Sequence, residues 1–200
     1  MFTILPIKGY IDQIDGFFCD GIHAGLKPNG NNDLGFIYTK EACTVAAIFT
    51  ENRFQAAPLK HFLAYEEGFK TNFVLINSKN ANALTGRKGI EDINTLFSKL
   101  NFDLINPVMS STGVIGNRLP IEKLVTGALK FDLTAKSGEN LSRAIMTTDA
   151  YPKTCLYEVK LEDGSSFKIG AVAKGAGMIN PNLATMLCFI CTDADVPYKD

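Results

Sequence analysis

Lys174-Gly175-Ala176-Gly177-Met178-Ile179-Asn180-Pro181-Asn182-Leu183-Ala184-Thr185-Met186-Leu187 is the stretch on which the reading of this chain turns. It leaves one apolar run, Phe167 to Ala173, and enters another that Thr185 opens. Pro181 biases the residue before it toward extended backbone, and Gly175 and Gly177 permit close chain approach. One hydroxyl thus stands where a loop meets a buried strand, directly after a small alanine. Such a threonine can attack the carbonyl of Ala184. The chain then splits at Ala184-Thr185, and Thr185 becomes a new N-terminus with nucleophile and base on one residue. The exposed α-amine, with an ordinary pKa of roughly 7.7–8, serves as that base near neutral pH. Read by itself, the window favours the plainer alternative, a loop leading into a strand.

Working outward, 200 residues with 46% hydrophobic content suit one large domain or two small ones with a substantial core. A net charge of −1 gives no basic footprint for nucleic acid and no polybasic surface for membranes. The sequence has no apolar run long enough to span a bilayer. Met1 to Tyr10 lacks the apolar core and cleavage site of a secretory signal, so the expected location is the cytoplasm. Five cysteines, an odd number scattered through apolar sequence, read as reduced thiols. Cys188 and Cys191 have CxxC spacing, but strand alternation points them to opposite faces. Buried small hydrophobes fit them better than a metal or redox pair.

The spacing predicts strands at Leu34 to Thr39, at Cys43 to Thr50 (buried on both faces), at Asn72 to Asn77 and at Pro107 to Ser111. Leu156 to Lys160 and Phe167 to Ala173 form a hairpin about Asp163-Gly164. Helices are predicted within Phe54 to Glu67, along Ile90, Ile93, Leu96, Phe97 and Leu100, after Pro120, and over Leu141 to Met146. Interleaved strands and helices predict an α/β (α+β layered) domain with mixed sheets and packed helices.

Four further segments can carry chemistry, each with a plain counterpart. Ser111-Thr112-Gly113 ends a strand with hydroxyls and backbone N–H groups, the parts of an oxyanion hole; otherwise it is a capped glycine turn. Thr148 can bind a substrate carboxylate or amide, and Asp149 can cap or pair with Lys153; otherwise this is a helix end running into a turn. Lys174 can hold a carboxylate or a developing oxyanion; otherwise it is a solvated lysine. The loop Asn77-Ser78-Lys79-Asn80-Ala81-Asn82-Ala83 reads as turn chemistry before a binding site. The Gly175-Ala176-Gly177 segment fits neither phosphate-loop pattern. His23 and His61 lie in unrelated contexts, which makes a Ser/His/Asp triad and a metal site both poor readings.

Together these segments resemble the glutamate N-acetyltransferase/ornithine acetyltransferase family, self-cleaving enzymes of the cyclic arginine pathway. The matching stretches are Ser111 to Gly116, Ala144 to Asp149 with Pro152-Lys153, and Lys174 to Ile179 through Ala184 to Leu187. Weaker matches are Gly25-Leu26-Lys27 with Asp33-Leu34, Phe49 to Asn52 with Ala56-Ala57-Pro58, and Asn77 to Gly86. They occur in family order along nearly the whole chain. The resemblance implies cleavage between Ala184 and Thr185, which divides the chain into an N-terminal domain, 1–184, and the start of a second half, 185–200. It implies Thr185 as nucleophile, Thr112 and Gly113 as oxyanion-hole pair, and Thr148, Lys174 and Thr185 as substrate-binding positions. The implied reaction moves acetyl from N2-acetylornithine to glutamate through an acyl-Thr185 ester.

No cofactor and no metal are implied; acetyl-CoA is a donor for some members. The implied partners are the C-terminal half of the same precursor and a second copy of each chain, a heterotetramer of two alpha and two beta chains. Lys79 departs from the family, whose asparagine loop usually has glycine there. Family members are also much longer, and further substrate-binding residues are expected beyond Asp200, so this chain by itself is expected to be inactive and prone to aggregation. Two other readings stand beside the transferase: a related amide hydrolase using the same nucleophile, and a non-catalytic fragment.

Overall fold

The structure, a computed structural model, describes residues 2–175 and 186–197. Along them run β1 (Phe2–Pro6), β2 (Phe17–Ile22), β3 (Leu34–Thr44), α1 (Ala57–Phe62), β4 (Lys70–Asn77), α2 (Gly86–Ser98), β5 (Val108–Ser111), α3 (Ile121–Ala128), α4 (Gly138–Ala144), β6 (Lys153–Leu161), β7 (Ser166–Lys174) and β8 (Leu187–Thr192). The strands form two sheets of four, ordered β2-β3-β4-β5 and β1-β6-β7-β8. The first is mixed, because β4 and β5 are parallel; α2 lies in the crossover between them. The second is antiparallel throughout.

Strand alternation divides the core in two. Leu34 and Phe36 of β3, with Phe73 and Leu75 of β4, face α2 and α3 and pack with Ile93, Leu96, Leu124 and Ala128. Ile37 and Ile76, from the opposite face of the same strands, meet Leu156, Val172 and Cys191 of the antiparallel sheet and Leu141 and Ile145 from α4. Helices, mixed sheet and antiparallel sheet therefore stack as layers. α4 is pressed onto the mixed sheet: a Cβ on Gly21 would lie 2.3 Å from the Asn140 carbonyl oxygen. This is the layered α/β class expected from the sequence.

Several local expectations change. Leu34 to Thr44 is one strand with an irregularity between Tyr38 and Cys43, where two were expected. Residues 45–50 are not a buried strand, and Ile48 is 83% exposed. The reason is geometric. β3 already lies between β2 and β4, and its last rung, Thr44↔Lys70, uses the first residue of β4. The helix expected within Phe54 to Glu67 is confined to Ala57–Phe62, with Pro58 in its first turn. Cys188 and Cys191 do point apart, but Cys188 is exposed and only Cys191 is buried. Burial pushes the Cys191 thiol up to about 12, with Cys43 and Cys188 adding to the rise. The hairpin about Asp163-Gly164 forms as read, its turn tied by Ser165 N–H to Asp163 at 2.9 Å.

His61 sits in the apolar layer beneath α1, edge-on to Tyr65 and beside Phe97. Burial lowers its pKa, and a hydrogen bond with Asn94 opposes this in part. A histidine whose pKa is lower folded than unfolded binds fewer protons in the native state, so folding is favoured above the unfolded value of about 6.5 and loses that support below it. Urea unfolding of the full-length protein should show a lower midpoint at pH 5.5 than at pH 7.5, and His61→Gln should flatten the difference. An equal pH dependence in wild type and variant would contradict this.

Candidate active site

β5 hands the chain to a corner at Thr112-Gly113. The Thr112 N–H donates to the Asn77 carbonyl at 3.0 Å, extending the β4–β5 ladder by one rung and leaving the Thr112 hydroxyl as the group this residue can offer. Gly113 has φ +133°, and a Cβ there would stand 2.2 Å from the Lys79 carbonyl carbon and 2.6 Å from Asn80 N. Only glycine lets the corner rest on the 79–80 backbone this closely.

The asparagine loop beneath is a scaffold. Asn77, Asn80 and Asn82 are buried. Their side-chain amides donate to backbone carbonyls: Asn77 to Asn80 at 2.8 Å, Asn80 to Arg118 at 3.0 Å, Asn82 to Gly89 at 3.0 Å. The Ser111 hydroxyl donates to Asn77 Oδ1 at 2.6 Å. Backbone bonds stitch the loop to the strand beyond the corner, Ala81 N–H to Val114 and Val114 N–H to Lys79, each at 2.9 Å. Turn chemistry was the sequence expectation; its product is the seat of Thr112-Gly113. Lys79 lies in the left-handed region, φ +75°. Glycine adopts that conformation without strain, where a lysine does not.

Lys174 ends β7 and is 2% exposed, not the solvated lysine of the plain reading. Its ammonium donates to Thr112 Oγ1 at 3.1 Å, joining residues 62 positions apart. Burial lowers the Lys174 pKa; Asp149 opposes the shift and Lys153 adds to it.

Asp149, with a side chain 1% exposed, organises the other wall. Its Oδ1 accepts from Lys153 Nζ at 2.6 Å and from the Gly175 N–H at 2.7 Å, and its Oδ2 accepts from the Thr147 N–H at 3.2 Å. Burial alone would raise this carboxyl's pKa, but the bonds from Lys153, Gly175 and Thr147 hold it below the usual range. Both sequence readings of Asp149, cap and ion-pair partner, are realised at once. Thr148, between these anchors, is exposed. The structure thus gathers Thr112, Gly113, Lys174 and the Thr148-Asp149 corner. Ala184 and Thr185 lie outside the described residues.

The sequence missed the centrality of Asp149. The signal available was a single acidic residue in a hydroxyl-rich segment between helix and strand. His23 is at the surface, and its Nδ1 lies 3.1 Å from Asp33. Among the described residues, no group of three His, Cys, Asp or Glu is placed to hold a metal ion.

Two substitutions test this corner. Gly113→Ala should cost about 2–4 kcal/mol, from the contact with Lys79 and the strained φ together. Lys79→Gly should stabilise by about 0.5 kcal/mol, the relief of left-handed strain less the greater freedom of glycine in the unfolded chain. Urea titration of the full-length variants reads both signs.

Comparison with known proteins extends the likeness along the whole chain. A model of the ArgJ family matches residues 18–200. The arginine biosynthesis bifunctional protein ArgJ of Wolinella succinogenes is 54% identical over 98% of this chain and 50% of its own length. That of Oceanobacillus iheyensis is 40% identical over 94% of this chain and 47% of its own. The chain therefore spans about half the length of these curated relatives. The crystal structure of arginine biosynthesis bifunctional protein ArgJ from Bacillus halodurans superposes with a TM-score of 0.83 at 34% identity, covering 93% of this chain and 99% of that one. Ornithine acetyltransferase from Mycobacterium tuberculosis, solved with ornithine, gives 0.73 at 30% identity, covering 91% of this chain and 100% of that one. The match runs through the Thr112-Gly113 corner, the Thr148-Asp149 turn and Lys174 alike, and the chain belongs to the ArgJ family.

Proposed function

We propose that this chain is the N-terminal part of an acetyltransferase that moves an acetyl group from N2-acetylornithine to glutamate, with Thr185 as the nucleophile. The observation that carries the reading is the buried Lys174–Thr112 contact, which sets the strand leading toward Thr185 against the Thr112-Gly113 corner. The ornithine in the M. tuberculosis relative's structure supports the substrate class. That the matched chains of both solved relatives are covered almost completely, while the curated sequences are covered by half, supports a two-chain mature protein.

In the first reaction Thr185 Oγ attacks the Ala184 carbonyl, and the Ala184–Thr185 bond passes from amide to ester. That shift frees the Thr185 α-amine; water then hydrolyses the ester, releasing the Thr185 hydroxyl and leaving a carboxylate on Ala184. Residues 1–184 become one chain and Thr185 heads the second. In the second reaction the α-amine takes the hydroxyl proton as Oγ attacks the acetyl carbonyl of N2-acetylornithine. The Thr112 hydroxyl and Gly113 N–H stabilise the tetrahedral oxyanion, a role worth roughly 2.7–4 kcal/mol per donor. Ornithine leaves with its amine protonated, and the glutamate amine then takes the acetyl from the Thr185 ester. Thr148 and Lys174 hold the substrate. A buried ammonium suits an amino-acid carboxylate.

The second half of the precursor completes the site. Ile4, Tyr157 and Ile190 on the outer face of the antiparallel sheet are exposed, as is Ile48, and these apolar surfaces suit cover by that half. The assembly is a heterotetramer of two alpha and two beta chains working in the cytoplasm; acetyl-CoA is a second candidate donor. Among the described residues no helix is long and apolar enough to cross a membrane.

Intact-mass measurement on the full-length protein should give two pieces divided at Ala184-Thr185, and Thr185→Ala should remain whole and fail to transfer acetyl. Incubation with N2-acetylornithine and glutamate should yield ornithine and acetylglutamate. An uncleaved wild type that transfers acetyl fully would sink the Thr185 mechanism. Free acetate in place of acetylglutamate would make the protein a hydrolase.

A further inference from the structure

A third lysine reaches the same site from the loop before β3. Asp33, fully buried, accepts the backbone N–H groups of Ala24, Leu26 and Lys27, each at 2.7 Å. That three-fold clamp fixes the course of residues 24–27 and with it the root of the Lys27 side chain.

The Lys27 ammonium donates to the Asn32 carbonyl at 2.6 Å and lies 3.4 Å from the carbonyl oxygens of Arg143 and Ala144. Arg143 and Ala144 are the last two residues of α4. Carbonyls at a helix end carry the negative end of its dipole and so attract a cation, even where, as at Arg143, a following backbone N–H is also accepted. A simple ion pair with Asp33 does not describe Lys27. The Asp33 oxygens take backbone N–H groups, while the ammonium is directed to the carbonyls of Asn32 and, across the fold, of Arg143 and Ala144.

Thr147, Thr148 and Asp149 follow α4 after only Ile145 and Met146. Whatever holds the end of α4 sets where they begin. We propose that Lys27 is a positioning residue of the acyl-transfer site: it ties the C-terminal end of α4 to the Asp33 loop and so places Thr148 and Asp149 against Lys174. The inference rests on the acetyltransferase reading of that site.

The charges agree with this placement. Burial lowers the Lys27 pKa most; Asp33 and Asp149 oppose the shift, and Lys174 adds to it. Lys27 is therefore within electrostatic reach of Asp149 and Lys174. Arg143, whose backbone it contacts, turns its own guanidinium to Glu139 at 2.8 Å.

The test uses the full-length, processed protein with Lys27→Met and Lys27→Arg. Lys27→Met should raise KM for N2-acetylornithine about tenfold, the effect of one lost charge-assisted hydrogen bond, and change kcat by less than about threefold. Lys27→Arg should restore most of the affinity, since it keeps the charge and the donors. Wild-type KM in Lys27→Met would overturn the proposal. So would a loss confined to melting temperature and kcat, the signature of a merely structural lysine. If the wild type transfers no acetyl, the functional reading fails by itself. Ornithine titration by calorimetry then decides on Lys27, because equal Kd in wild type and Lys27→Met would overturn its positioning role.

Discussion

An ammonium group taken out of water needs partners, and the arrangement around Lys174 follows from that need. Its bond to Thr112 Oγ1 crosses from the end of the antiparallel sheet to the mixed sheet. Beside it, Asp149 lies almost wholly out of solvent and is held by Lys153 and by the Gly175 N–H. Neither charge is tolerable buried by itself; together they fix the end of β7 against two other segments. The run toward Thr185 begins from this fixed point. The cost of burying charge is offset by geometry, and the geometry is the site.

The same logic holds on the mixed-sheet side with neutral groups. Three buried asparagines each donate to a backbone carbonyl, two of them in loops and one, Gly89, in the first turn of α2. The loop is thereby rigid enough for Gly113 to rest against it at a distance no side chain permits. In its proposed role the corner works by preorganisation: donors already in place need no rearrangement as charge develops. Lys27 extends the scheme to α4, whose end it holds from a loop organised by one carboxylate. The three walls are thus held by three different devices: a buried carboxylate with its lysine and backbone donors, an amide lattice, and a helix end held by a lysine.

Alternating apolar residues at Leu34 to Thr39 and Asn72 to Asn77, and the hairpin residues at Asp163-Gly164, gave the layered class correctly. The failures are instructive. Val45 to Thr50 is as apolar as any buried strand, yet among the described residues no strand is placed to pair with it, because β4 starts level with the end of β3. Hydropathy measures a tendency to be covered and does not supply the cover. Cys188 failed similarly: alternation set its face, while exposure depends on what lies outside the antiparallel sheet.

The motifs around Thr112, Thr148 and Lys174 are local strings, and the sequence by itself was enough to mark them and to place the chain in its family. Glycine at 113 and the unusual Lys79 were also visible there, although their backbone angles were not. Which residues meet was decided by tertiary structure alone. The union of Lys174 with Thr112, of Asp149 with Gly175, and of Lys27 with the end of α4 joins positions separated by whole sheets. The physical reason is that spacing along a chain fixes periodicity and turn chemistry, which are short-range. The pairing of buried charges depends on how two sheets and a helix pack, and no window of sequence contains that.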